Sequence, residues 1–146
     1  MAAVALYREA RLDGALRPLG VTMSRFRVMS ALMRCGASTM SELANFTSVD
    51  RTTLTRIADQ LVDAAYAERL PEPKDRRRVV LDLTAAGRRL YRQAALVIRE
   101  QNEAISEGVP EDEMRGLARV LVKVMHNATD NEATRSALIH YRRDLP

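Results

Sequence analysis

The chain has 146 residues, 47% of them hydrophobic and 29% charged, a balance that fits one globular domain and excludes a disordered chain. Its apolar runs fall far short of the roughly 18 residues a bilayer crossing needs, and Arg8, Glu9 and Arg11 interrupt the N-terminus before any leader core develops, so a cytoplasmic protein with no membrane partner is expected. The formal charge of +4 is modest, but residues 51–92 hold ten cations against six acids and therefore all of the surplus, and 21 of the 23 cations are Arg, which points to a polyanion.

Ala, Leu, Arg, Met and Glu dominate while aromatic and β-branched residues are sparse, which favours helix nearly throughout. A first helix over residues 3–16 ends before Arg17-Pro18-Leu19-Gly20, because Pro18 restricts the residue before it and Gly20 permits a turn. A second, over residues 24–34, sends Phe26, Met29, Ala31, Leu32 and Met33 inward and stops at Gly36. Thr39-Met40-Ser41-Glu42 is a capping box that starts a short third helix closing near Phe46. The fourth is the most legible. Asp50 is its N-cap, Val49 staples to Leu54, and Leu54, Ile57, Ala58, Leu61 and Val62 form an apolar stripe that turns Thr52, Thr55, Arg56 and Asp59 outward.

The periodicity then changes to alternation. Residues 66–70 read as one strand and residues 78–83 as another, with Val79, Leu81 and Leu83 on one face and residues 71–77 as a proline-bounded, arginine-rich loop. Thr84 caps a long helix over residues 85–107, ended by Gly108. Pro110 and three acids open another, striped by Met114, Leu117, Ala118, Leu121, Val122 and Met125. A last capping box at residues 129–132 starts a weaker C-terminal helix.

The predicted fold class is mainly α with a small β-hairpin wing: a winged helix-turn-helix DNA-binding lobe over residues 21–84, flanked by helical segments over residues 1–20 and 85–146. Such a lobe puts the N-terminal part of its second helix into a major groove about 12 Å wide. Here that part presents Asp50, Arg51, Thr52, Thr53, Thr55 and Arg56. Arg can fork onto guanine, and Thr can bond phosphate or meet a thymine methyl. Lys74, Asp75, Arg76, Arg77 and Arg78 make up the wing site; its arginines suit a narrow minor groove, and Asp75 is expected to hold one of them in place. Ala44 is small enough for the third and fourth helices to cross closely.

Ser41-Glu42-Leu43-Ala44, then Val49-Asp50-Arg51-Thr52-Thr53-Leu54-Thr55-Arg56, then Asp75-Arg76-Arg77 and Leu83-Thr84-Ala85-Ala86-Gly87 resemble the MarR family of bacterial transcriptional regulators. The resemblance implies a homodimer, joined through a helical dimerisation region at residues 1–20 and 85–146, on a pseudo-palindromic operator of double-stranded DNA, a repressor released by a small aromatic or carboxylate effector. Tyr7, Arg11, Phe26, Met29, Met33 and Tyr91 are the candidate effector pocket, with Arg11 receiving a carboxylate; the bland alternative makes them dimer core. Two departures stand out. Ala65 replaces the usual glycine after the fourth helix, where a left-handed residue costs Ala roughly 1 kcal/mol relative to Gly, so a different closure is expected. The N-terminal arm is also short, which leaves its share of the implied dimer interface open.

Cys35 reads as a small packed hydrophobe rather than a redox sensor. His126 and Asp130 are spaced i, i+4, but only His140 remains to join them, so no metal and no cofactor are expected. Residues for nucleophilic or acid-base catalysis do not assemble into a recognisable pattern, so no enzyme is expected either. The competing function is a constitutive or architectural DNA-binding protein without a ligand switch.

Overall fold

The computed structural model describes residues 2–47, 49–73 and 75–128. Six α-helices and one hairpin are seen among them: α1 (Ala2–Leu16), a 3-10 turn (Arg17–Leu19), α2 (Met23–Cys35), α3 (Met40–Thr47), α4 (Arg51–Asp63), β1 (Ala67–Glu72), β2 (Asp75–Leu83), α5 (Ala85–Ile105) and α6 (Glu111–Ala128). The expected order of elements is the observed one. The C-terminal helix expected from residue 129 onward lies outside the described residues. Packing divides the chain into two units, Met1–Ile105 and Ser106–Pro146.

In the first unit the apolar stripes converge on one core. Leu12 and Leu16 of α1, Met29 and Leu32 of α2, Leu43 of α3, Leu54 and Leu61 of α4 and Ala94 of α5 are almost wholly buried together, at roughly 1.5–3 kcal/mol for each large side chain removed from water. Val49 is buried in the same core as Leu54. In α2 the inward set divides: Met29, Ala31 and Leu32 are buried, whereas Phe26 and Met33 pack half-buried against the core. Cys35 is exposed rather than packed, because it ends the last turn of α2, one residue before the chain reverses at Gly36.

The hairpin departs most from expectation. Strand pairing continues to Pro71↔Val79 and Glu72↔Asp75, so the loop expected over residues 71–77 is mostly strand. Both strands of a two-stranded ribbon are edges, which tolerate the missing N–H of Pro71. Leu81 and Leu83 are buried as expected, but Val79 is 56% exposed and Val80 is buried, because a two-stranded ribbon twists strongly and Val79 lies beyond the core. An unforeseen bridge joins Ser38 to Leu81, with N–H···O contacts of 3.0 and 2.9 Å, and ties the α2–α3 turn to β2.

Helix α4 closes with the left-handed residue that Ala was expected to avoid. Ala65 has φ 57°, its N–H donates to the Val62 carbonyl at 2.9 Å and the Tyr66 N–H donates to that of Leu61 at 2.8 Å, the paired bonds of a Schellman cap. The neighbourhood enforces it. Thr84 donates its hydroxyl to the Ala65 carbonyl at 2.7 Å and its N–H to the Tyr66 carbonyl at 3.1 Å. Against the same turn lies Gly87, where a Cβ would sit 1.9 Å from the Tyr66 oxygen, a distance no side chain can accept. The second unit is described through α6, whose N-terminal turn carries Glu111, Asp112 and Glu113 where they complement the helix dipole. Met114, Leu117, Val120 and Val124 on it are exposed.

Replacing Ala65 by Gly should relieve the left-handed strain and stabilise the fold by about 0.5–1 kcal/mol, after the extra freedom of glycine in the unfolded chain is set against it. Urea melts of the two proteins check this, and a lower midpoint for the glycine variant would contradict it.

Candidate nucleic-acid interface

The interface is built from the N-terminus of α4 outward. Asp50 leaves the helix in extended conformation and accepts the Thr53 N–H at 2.9 Å. The hydrogen bond from Thr53 is the first cause holding its carboxyl below the ordinary carboxylate value. Asp50 is thus engaged as the cap, and Thr53 sits half-buried on the flank. Arg51, Thr52, Thr55 and Arg56 are all exposed. Thr55 turns its hydroxyl back to the Arg51 carbonyl at 2.9 Å, which leaves the oxygen lone pairs and the methyl facing outward. Arg51 and Thr55 also border a shallow cleft of about 250 Å³ between α3 and α4, completed by Met40, Ser41 and Leu54.

The preceding helix is held at its start by the reciprocal capping box. Thr39 N–H donates to Glu42 at 2.7 Å and Glu42 N–H donates to the Thr39 hydroxyl at 3.3 Å. The Thr39 hydroxyl also donates to the Glu42 carboxylate, at 2.7 Å. That bond leads in lowering the Glu42 pKa, the Thr39 amide adds to it, burial opposes it, and the charge of Arg78 on the wing contributes last. Ala44 is half-buried and packs against the core.

On the wing, Arg77 and Arg78 are exposed. Arg76 lies within β2, and Lys74 is outside the described residues. Among the described side chains the ion pair runs from Arg78 Nε to Glu72 Oε2 at 3.2 Å. Asp75 accepts the backbone N–H of Arg77 at 3.1 Å; the arginine expected to be held by Asp75 is therefore fixed through its amide. A second brace was not anticipated from sequence: Arg69 of β1 reaches Asp59 of α4 at 2.5 Å and joins wing to helix. The i, i+10 separation of this pair has no periodic signature, so only the fold reveals it.

The six residues of the candidate effector pocket occupy different environments. Tyr7 is 77% exposed and Met29 completely buried. Arg11 is exposed and donates to Gln101 Oε1 at 2.9 Å. Phe26 and Tyr91 stack with ring centroids 5.4 Å apart and an interplanar angle of 11°, and Met33 lies half-buried with its sulfur 3.8 Å from Arg88 Nη1. His126 is exposed on α6, and the described residues contain no group of three or more His, Cys, Asp or Glu placed to hold a metal. No described helix is long and apolar enough to cross a membrane.

Helix, turn, helix and cationic hairpin thus present their exposed arginines from one lobe, and comparison with known proteins decides what that lobe belongs to. The MarR family model matches residues 21–79, and the multiple antibiotic resistance protein MarR of Escherichia coli K12 is 33% identical over 119 residues, 81% of this chain and 83% of that protein. The chain belongs to the MarR family. A crystal structure of a mutant MarR from E. coli complexed with operator DNA matches with a TM-score of 0.76 at 31% identity, over 84% of this chain and 89% of that one. CouR from Rhodococcus jostii RHA1, solved bound to p-coumaroyl-CoA, shares the fold with a TM-score of 0.75 at 20% identity, over 84% of this chain and 87% of that one. The protein is a MarR-family winged-helix transcriptional regulator.

The capping box makes a pH prediction for this lobe. A carboxyl whose folded pKa is lowered contributes its full stability above the unfolded value, here 4.5, and loses it as pH falls through the lower folded value. Glu42→Ala should therefore cost about 0.5–1.5 kcal/mol at neutral pH and progressively less in acid. Thermal melts of both proteins across the range check this; a difference that grows on acidification would contradict the assignment.

Proposed function

We propose that this protein is a homodimeric repressor that grips a pseudo-palindromic operator and releases it on binding a small aromatic or carboxylate effector. The observation that carries the reading is the state of its arginines. Arg51 and Arg56 on α4 and Arg77 on the wing are exposed, and no carboxylate among the described residues pairs with them. Their charge is available to phosphate and base edges. In this reading α4 enters the major groove, with Arg51, Thr52, Thr55 and Arg56 facing the bases, while Asp50 and Thr53 set the helix start. The wing, with Lys74 and Arg76 to Arg78, follows the flanking minor groove. The operator complex of the E. coli relative supports the reading.

Dimerisation rests on apolar surface. Val4, Leu6 and Tyr7 of α1 are 69%, 70% and 77% exposed, and Met114, Leu117, Val120 and Val124 line an open stripe on α6. Faces of this kind favour burial against a second copy, with residues 1–20 and 85–146 as the dimerisation region and residues 21–84 as the DNA-binding lobe. Two lobes would then meet half-sites about one helical turn apart, roughly 34–36 Å. For the effector, the stacked Phe26 and Tyr91 offer a platform for a planar ring. Arg11 would have to leave Gln101 to receive a carboxylate. An effector acts only by preferring the arrangement that DNA does not, and DNA must weaken effector binding by the same factor.

Operator selection from randomised duplexes at physiological salt, followed by titration against a scrambled control, tests the reading. A palindromic site bound at least about 10³-fold tighter than the control is expected; equal binding would favour the architectural alternative. On the selected site Arg56→Ala should cost about 1–3 kcal/mol and relax preference at one base position. Equal losses on operator and control would remove Arg56 from base reading.

A further inference from the structure

We infer that Arg25, at the start of α2, is a further DNA-contacting residue that binds a backbone phosphate beside the recognition helix. This rests on the operator-binding reading and adds a contact outside α4 and the wing. Arg25 lies in the first turn of α2, with its backbone N–H capped by the Thr22 hydroxyl at 3.2 Å. Its guanidinium leaves α2 and reaches α4: Nη2 donates to Gln60 Oε1 at 2.8 Å and Nη1 to the Gly20 carbonyl at 2.6 Å. Gln60 is exposed, as is Arg56, and residues four apart share one helix face. The Arg25 cation is therefore held about one turn along α4 from Arg56, at the border of the face assigned to DNA.

The nature of its partners is the second observation. Five other arginines of the first unit, Arg27, Arg69, Arg78, Arg88 and Arg99, pair with carboxylates. Arg25 is anchored by two neutral carbonyl oxygens, and no carboxylate among the described residues lies within ion-pair distance. Neutral acceptors fix the geometry of a guanidinium without cancelling its charge. Of its five N–H donors two are used, and the Nε–H is buried without a partner, so donors on the two terminal nitrogens remain for a phosphate oxygen. The chain has already lost the rotamer freedom of this side chain in folding, which lowers the cost of ordering it on DNA. A contact of this kind sets position and affinity and carries no base information.

Salt dependence tests the role, because each neutralised phosphate contributes about 0.9 to the slope of log Kobs against log salt. Arg25→Gln and Arg25→Met, the second retaining the aliphatic stem, should each flatten that slope by about one per bound protomer while melting cooperatively. Arg25→Lys should keep the slope, and Gln60→Ala should keep it too, because the cation remains. Reduced affinity with an unchanged slope in both charge-free variants would show that Arg25 only holds α4 in place and would overturn the inference, as would unchanged affinity and slope. The same slopes measured on scrambled duplex separate this result from the functional reading: a wild type that does not discriminate operator from control defeats operator reading, while the Arg25 slope still decides the phosphate contact.

Discussion

One missing Cβ lets the long helix that follows the wing lie against the turn that closes α4. Gly87 allows the first turn of α5 to lie directly on the Tyr66 carbonyl, and Thr84 fastens the same turn with its hydroxyl and its amide. The consequence is seen at Ala65, which stays left-handed at a cost because its carbonyl is already engaged. The end of α4 and the start of α5 therefore move as one piece. Any rearrangement of α5 reaches the end of α4 through this backbone contact, with no flexible side chain between them to absorb it.

Around that junction the arginines divide by what they face. Arg69 and Arg88 meet Asp59 and Asp82 and lock neighbouring elements together; such half-exposed pairs add little energy but they set the angle between wing and helix. Arg25, Arg51, Arg56 and Arg77 meet no carboxylate among the described residues. One residue type thus supplies both the braces and the charge left without a carboxylate partner among the described residues. Composition records only the surplus of cations, and partner choice, which only folding decides, separates the two uses.

The same distinction explains what could be read from sequence. Capping signals act within one turn, so Thr39, Glu42 and Asp50 marked the starts of α3 and α4 correctly, and the apolar stripe of α4 gave its buried face. Contacts between distant residues leave no periodic trace. The Arg25–Gln60 bond, the Ser38–Leu81 bridge and the Arg69–Asp59 pair were invisible for that reason. The extent of the hairpin was misjudged because its prolines read as loop, whereas a ribbon of two edges accepts them. Ala65 looked incompatible with a left-handed cap because propensity weighs one residue alone, while Thr84 and Gly87 act on it from more than eighteen positions away. The effector residues were grouped by a resemblance, and the fold distributes them from fully buried Met29 to largely exposed Tyr7.

The hairpin carries one more consequence. Among the described residues each of its strands has a side with no neighbouring strand beyond the bridge at Ser38, and open strands recruit other open strands into aggregates. Pro71 removes a donor from β1, and Arg77 and Arg78 place exposed positive charge on β2. Two such wings repel each other at the approach distance that strand addition requires. The exposed charge of this ribbon therefore keeps concentrated protein from assembling through it, and a wing whose arginines were neutralised would lose that protection against self-association.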